Sequence, residues 1–232
     1  MTSVDLDYLK KAAALKASEF VRSGMVVGLG TGSTAKHLLV ALGEQVKAGM
    51  KLRGVPTSQE TAVLAKQAGI PLIDAENRWE IDVAIDGADQ VDPHFNLIKG
   101  GGGALLKEKI VAASAKQFIV MVDHTKQVPV LGGSFPRPIE VIPFGWGGTA
   151  REIEGPTKSR VVLRERNGAP FRTEAGNLIV DVHIDRISQP GELEAALNLI
   201  PGVVETGLFV GRTNVLIVGT PQGVHTLHAP KT

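Results

Sequence analysis

Apolar positions along the first half of the chain alternate between two spacings. From Asp5 to Arg22, Leu6, Leu9, Ala13 and Phe20 recur among lysines at helical intervals, and the pattern stops near Gly24. A short continuous apolar run, Met25 to Leu29, predicts a buried strand, followed by the glycine-rich turn Gly30 to Ser33 and a helix from Thr34 to Val46 with Leu38, Leu39 and Leu42 on one side. The sequence repeats this strand, turn and helix. Leu52 to Val55 predicts a strand, and Thr57 with Glu60 has the spacing of a capping box opening a helix that stops near Gly69. Short apolar runs at Pro71 to Ile73 and Ile81 to Ile85 come next, then Leu97 and Ile98, the glycines Gly100 to Gly103, a helix over about Ala104 to Lys116 and a buried strand at Phe118 to Val122. Strands alternating with helices imply an α/β fold with a mostly parallel, twisted sheet covered by helices on both faces.

After Val128 the pattern changes. Pro129, Gly132, Gly133, Pro136, Pro138 and Pro143 crowd a short stretch and point to a change of domain. Beyond it the spacing predicts a helix near Gly148 to Glu154, strands at Arg160 to Arg164 and Asn177 to Ile184, a helix at Gly191 to Ile200 and a strand at Val203 to Phe209, enough for a small α+β domain. The apolar run Val215 to Val218 reads as a return to the main sheet as its edge, which makes the small domain an insertion.

Composition narrows the function classes. With 25 basic and 24 acidic residues interspersed in 232, the net charge is +1, so no global field favours nucleic acid or an anionic membrane. The apolar runs fall far short of the roughly 18 residues of a spanning helix, and Asp5, Asp7, Lys10 and Lys11 interrupt the place of a signal peptide's apolar core. There is no cysteine, which excludes disulfides, thiolate nucleophiles and cysteine zinc sites and fits a cytoplasmic protein.

Three segments carry candidate chemistry. In Gly28-Leu29-Gly30-Thr31-Gly32-Ser33-Thr34-Ala35, glycines allow a sharp turn after a strand, and the following helix aims its positive end at the same point. The reading is an anion site, against a plain glycine turn capped by Ser33 or Thr34. A dinucleotide fingerprint would have glycine at Ser33 and an acid about 20 residues on, where Val55-Pro56-Thr57-Ser58 stands, and a P-loop would have a lysine directly after the glycines. A lone phosphate or carboxylate fits better than a nucleotide. The second segment, Ile85-Asp86-Gly87-Ala88-Asp89-Gln90-Val91-Asp92, ends a buried run with three carboxylates that suit proton transfer or, less well, magnesium, the alternative being an Asp-rich turn. In the third, Lys99 precedes four glycines whose ordering is costly, so close approach of the backbone to a ligand or another loop is expected. Glu108, between Lys107 and Lys109, reads equally as a solvated helix residue. Of the histidines only His225 and His228 are spaced to share a helix face, without zinc partners, and Ser33 lacks a nucleophile-elbow context.

Taken in order, Gly28 to Ala35, Pro56-Thr57-Ser58, Asp86-Gly87-Ala88-Asp89, Lys99 with its glycines through Glu108-Lys109-Ile110, and Asp123-His124-Thr125-Lys126 resemble the ribose-5-phosphate isomerases of type A. Ile139 to Pro143, Ile200 to Phe209 and Gly219-Thr220-Pro221 extend the likeness over nearly the whole chain. The resemblance implies a Rossmann-like main domain of residues 1–131 and 207–232, a small α+β domain of 132–206, and a homodimer or dimer of dimers. It implies an aldose-ketose isomerase of the pentose phosphate pathway, without metal or cofactor. Asp86, Asp89, Lys99 and Glu108 would form the catalytic site with Glu108 as base, and Thr31, Gly32, Ser33 and Thr34 would hold the sugar phosphate, aided by Lys126 and Lys10. Gln90 departs from the family, which commonly has Glu there. The residues left two rivals, a sugar-phosphate sensor and a transferase using Glu108 as nucleophile; the first would be expected to carry a helix-turn-helix and a basic face.

Overall fold

The computed structural model describes residues 5–74, 78–133 and 135–229, and these form two compact units. The first takes the described residues of Met1–Ala88, Lys107–Gln127 and Arg212–Thr232; the second is Asp89–Leu106 with Val128–Gly211.

A six-stranded sheet organises the first unit, in the order Gly223–His228, Val215–Thr220, Ala115–Asp123, Ile81–Asp86, Val26–Leu29, Arg53–Pro56. Every pairing is parallel except that of Val215–Thr220 with Gly223–His228. Helices α1 (Leu6–Ser18), α2 (Ser33–Lys47) and α3 (Gln59–Gln67) share one core with Val27, Leu29, Val83 and Ile85. The alternate residues Gly28 and Ala84 face α4 (Leu105–Ala113): a Cβ on Gly28 would fall 2.4 Å from Val111 Cγ1. Helices thus cover both faces, as the alternation of the sequence predicts. Two local expectations change. The cap of α3 is Ser58, whose hydroxyl accepts the N–H of Thr61 at 3.1 Å, while Glu60 is exposed and pairs with Lys36 at 2.8 Å. Val215–Thr220 is also not the edge, because Gly223–His228 pairs outside it, putting His225 and His228 on a strand.

The second unit is antiparallel. Its four-stranded sheet runs Val203–Thr206, Arg137–Val141, Leu178–Val182, Val161–Leu163, and a three-stranded one runs Leu208–Phe209, Leu97–Ile98, Gln90–Val91. Helices α5 (Trp146–Thr157) and α6 (Pro190–Asn198) bring Ile153 and Leu197 to a core with Ile98, Ile139, Val141, Val180, Val182 and Leu208. The division differs from 1–131 with 207–232 against 132–206. Asp89–Leu106 goes with the second unit, because Leu97–Ile98 pairs with Leu208–Phe209 and Gln90–Val91 instead of joining the parallel sheet. Gln90 anchors this arrangement: its buried amide donates to the Gly132 carbonyl at 2.7 Å and accepts the Gly132 N–H at 2.9 Å. A carboxylate could not donate in that pair, so the departure from the family pattern has a structural use. Among the described residues, no helix is long and apolar enough to cross a membrane.

Candidate active site

Strand order decides where a ligand can enter the first unit. In an open parallel sheet the crevice lies outside the carboxyl ends of the strands where the order reverses. Here that point is between Val26–Leu29 and Ile81–Asp86, and both flagged segments, Gly30 to Thr34 and Asp86-Gly87, leave the sheet there. Asp86 holds the turn. Its Oδ1 accepts the N–H of Thr31 at 3.1 Å and of Gly87 at 2.7 Å, and a Cβ on Gly30 would lie 2.1 Å from that same oxygen. Gly30 is therefore fixed by the carboxylate, and Gly32, at φ 108, supplies the backbone turn into α2.

A cluster of hydroxyls, which the sequence signalled only as Pro56-Thr57-Ser58, supports the turn from the strand beside it. Thr31 Oγ1 lies 2.7 Å from Thr57 Oγ1, 2.9 Å from Ser58 Oγ and 3.1 Å from Thr61 Oγ1, while Thr61 donates to the Gly30 carbonyl at 2.9 Å. Thr31 thus spends its N–H and its hydroxyl on the protein. Ser33 is exposed, Thr34 is buried with its Cβ against Gly87, and Gly32 gives α2 no side-chain cap. The first-turn N–H groups of α2 and these two hydroxyls are the donors the turn offers an anion.

Glu108 and Asp86 line one tightly packed void under α4 with Gly28, Gly30 and Thr57, too small to admit a water molecule. At 6% exposure Glu108 is not a solvated helix residue, although Lys107 before it is exposed. Lys126 follows Asp123 at the same sheet end, in a short 3-10 turn capped by the Asp123 carboxylate, which accepts the N–H of Thr125 at 3.0 Å. Lys10 is half-buried in α1, and its neighbour Leu9 packs its carbonyl against Gly219, next to the carboxyl end of Val215–Thr220. Both lysines sit outside the hydrogen-bond set of the turn.

Asp89 and Lys99 belong to the second unit. Lys99 is 3% exposed, its N–H bonded to the Gly207 carbonyl at 2.9 Å and its ammonium 5.5 Å from the centre of the Phe209 ring. Gly100 and Gly103 are demanded by the protein's own packing. A Cβ on Gly100 would meet Leu105 at 2.9 Å and Pro138 at 3.0 Å, and one on Gly103 would meet Phe171 at 2.4 Å. Asp89 Oδ2 accepts the Gly101 N–H at 2.9 Å. Among the described residues, no three His, Cys, Asp or Glu side chains group to hold a metal ion.

A parallel open sheet with a glycine turn into a helix N-terminus and a buried aspartate at its switch point defines an α/β protein of the class whose ligands gather at that point. The chain matches the family described as ribose 5-phosphate isomerase A (phosphoriboisomerase A) over residues 53–223. It is 47% identical to ribose-5-phosphate isomerase A of Bradyrhizobium diazoefficiens, covering 98% of each chain, and 49% identical to that of Parvibaculum lavamentivorans, covering 97% of this chain and 100% of the relative. Among solved structures, a D-ribose-5-phosphate isomerase in complex with phospho-erythronic acid aligns with a TM-score of 0.93 at 42% identity, covering 97% of this chain and 100% of that one. Ribose 5-phosphate isomerase A of Methanocaldococcus jannaschii aligns with a TM-score of 0.91 at 41% identity, over 97% and 100%. The chain belongs to the ribose 5-phosphate isomerase A family.

Proposed function

We propose that the protein interconverts D-ribose 5-phosphate and D-ribulose 5-phosphate through an enediolate, with Glu108 as the base. The observation that carries this reading is the burial of two carboxylates, Glu108 and Asp86, around one small void beside the glycine turn that opens α2. The isomerisation removes the proton at C2, holds negative charge across two oxygens and returns a proton at C1. A single carboxylate on one face of the intermediate performs both transfers. Lys99 supplies positive charge for the developing oxyanion, and Asp86 and Asp89 exchange hydroxyl protons and assist ring opening. Ser33, Thr34 and the first turn of α2 take the phosphate, with Lys126 and Lys10 adding charge, while Thr31 shapes the turn.

The phospho-erythronic acid held by one relative supports this chemistry, because that compound has a carboxylate at one end, where an enediolate carries charge, and a phosphate group besides. No net oxidation accompanies the isomerisation, so it needs no nicotinamide. We also propose a cytoplasmic homodimer or dimer of dimers, in line with the cysteine-free composition and the exposed Phe144 and Leu199.

The test is turnover of ribose 5-phosphate by the purified protein in EDTA with no cofactor, following ketose formation. Ketose is expected, and the Ser33→Ala/Thr34→Ala protein should show a KM for ribose 5-phosphate and an inhibition constant for inorganic phosphate raised by roughly 10-fold or more, as lost hydrogen bonds to a charged group imply. No ketose from the wild-type protein overturns the reading; unchanged constants overturn the phosphate assignment alone.

A further inference from the structure

The glycine run after Lys99 has no side chains with which to hold itself, yet its geometry is closely determined. The peptide between Gly100 and Gly101 is gripped at both ends: the Gly100 carbonyl accepts from Arg164 Nη1 at 3.0 Å, and the Gly101 N–H donates to Asp89 Oδ2 at 2.9 Å. In a trans peptide these groups point in opposite directions, so a cation on one side and a carboxylate on the other fix the plane's orientation. Arg164 Nη1 also reaches the Gly101 carbonyl at 3.1 Å.

Arg164 is in turn aimed by Asp181. Its Nε donates to Asp181 Oδ2 at 2.7 Å and its Nη2 to the other oxygen, a two-pronged pairing with side chains only 13% and 16% exposed. The same segment closes the far end of the run, because Phe171, whose N–H bonds the Arg164 carbonyl at 2.8 Å, presses its ring on Gly103. Only the combination of planar fork and charge spans two carbonyls and a carboxylate at once.

We infer that Arg164 is a positioning residue for the isomerase reaction: it touches no substrate and acts by fixing the Gly100–Gly101 peptide, and through it the Asp89 carboxylate. The inference rests on the proposed catalytic part of Asp89 and Lys99. Misplacement of a reacting group by about 1 Å costs roughly 10² in rate, so Arg164→Ala should lower kcat by about that factor while KM and phosphate inhibition, set at the turn before α2, stay near wild type. Arg164→Lys should recover little, since an ammonium cannot reproduce the fork. Guanidinium ion at millimolar concentration should restore part of the turnover of Arg164→Ala and none of that of Arg164→Lys.

A folded Arg164→Ala protein with near wild-type kcat overturns the inference. So does a loss of kcat that guanidinium leaves untouched and that tracks the loss of folded protein by circular dichroism, since that is what mere structural support predicts. A wild-type protein inactive on ribose 5-phosphate fails the functional reading instead, which keeps the two failures apart.

Discussion

Glu108 stands between an exposed lysine and a buried one, and its neighbours in sequence gave no reason to choose it over any other helix carboxylate. Its burial depends on residues distant along the chain, with Gly28, Gly30 and Asp86 lining the same tightly packed void. This is why the residue was legible only through the ordered set of motifs. Glu108→Gln preserves size and most hydrogen bonding but accepts no proton, so kcat should fall by ~10²- to 10⁴-fold with substrate binding retained. Steady-state kinetics and deuterium entry at C1 in heavy water read this directly, and near-normal turnover would move the role of base to Asp86 or Asp89. Asp86 was legible as the polar end of an apolar run. Its grip on Thr31 was not, because that bond joins residues 55 positions apart.

Among the elements, the parallel strands of the first unit follow the apolar runs closely, since a strand buried on both faces needs continuous apolar sequence. The strand Gly223–His228 has no such run because it lies at an edge and is largely exposed. Arg137–Val141 is obscured in the sequence for another reason: Pro136 and Pro138 read as breaks, yet Pro138 falls near the strand's start, where a missing N–H is tolerated. That strand also holds Glu140, 1% exposed, whose carboxylate accepts from Thr173 Oγ1 and Asn177 Nδ2, each at 2.9 Å, directly opposite Glu205 on the neighbouring strand. Burial raises its pKa above the ordinary value of 4.5, opposed by the two hydrogen bonds and reinforced by Glu205. A raised folded-state pKa means that its contribution is fully present below the unfolded value and is lost as pH rises through the folded one. Glu140→Gln keeps an acceptor for both donors without the charge. It should raise Tm at neutral pH by a few degrees, about what ~1 kcal/mol gives at this chain length, with the gain vanishing near pH 4. Thermal melts across that range check the sign.

For the whole molecule, the sequence placed a change of architecture after Val128 but assigned Asp89–Leu106 by its position in the chain. Pairings of Leu97–Ile98 with Leu208–Phe209, more than a hundred residues away, have no local signature. Association is also unreadable from local pattern, but the surface bears on it. Phe144 and Leu199 are 88% and 83% exposed, and the bond from the Ile142 N–H to the Gly202 carbonyl at 2.9 Å sets their loops side by side. Sedimentation velocity should show a species of two or four chains; a monomer alone at working concentrations would dispose of the proposed assembly. The order of the parallel sheet has a further consequence for how the protein comes into being. Val215–Thr220, which flanks Ala115–Asp123 in that sheet, follows every residue of the second unit in the chain. During synthesis the ribosome must therefore deliver the whole antiparallel unit before the parallel one can be finished. The nascent chain carries an open, apolar sheet edge along Ala115–Asp123 until that strand emerges, an interval in which a chaperone has something to hold.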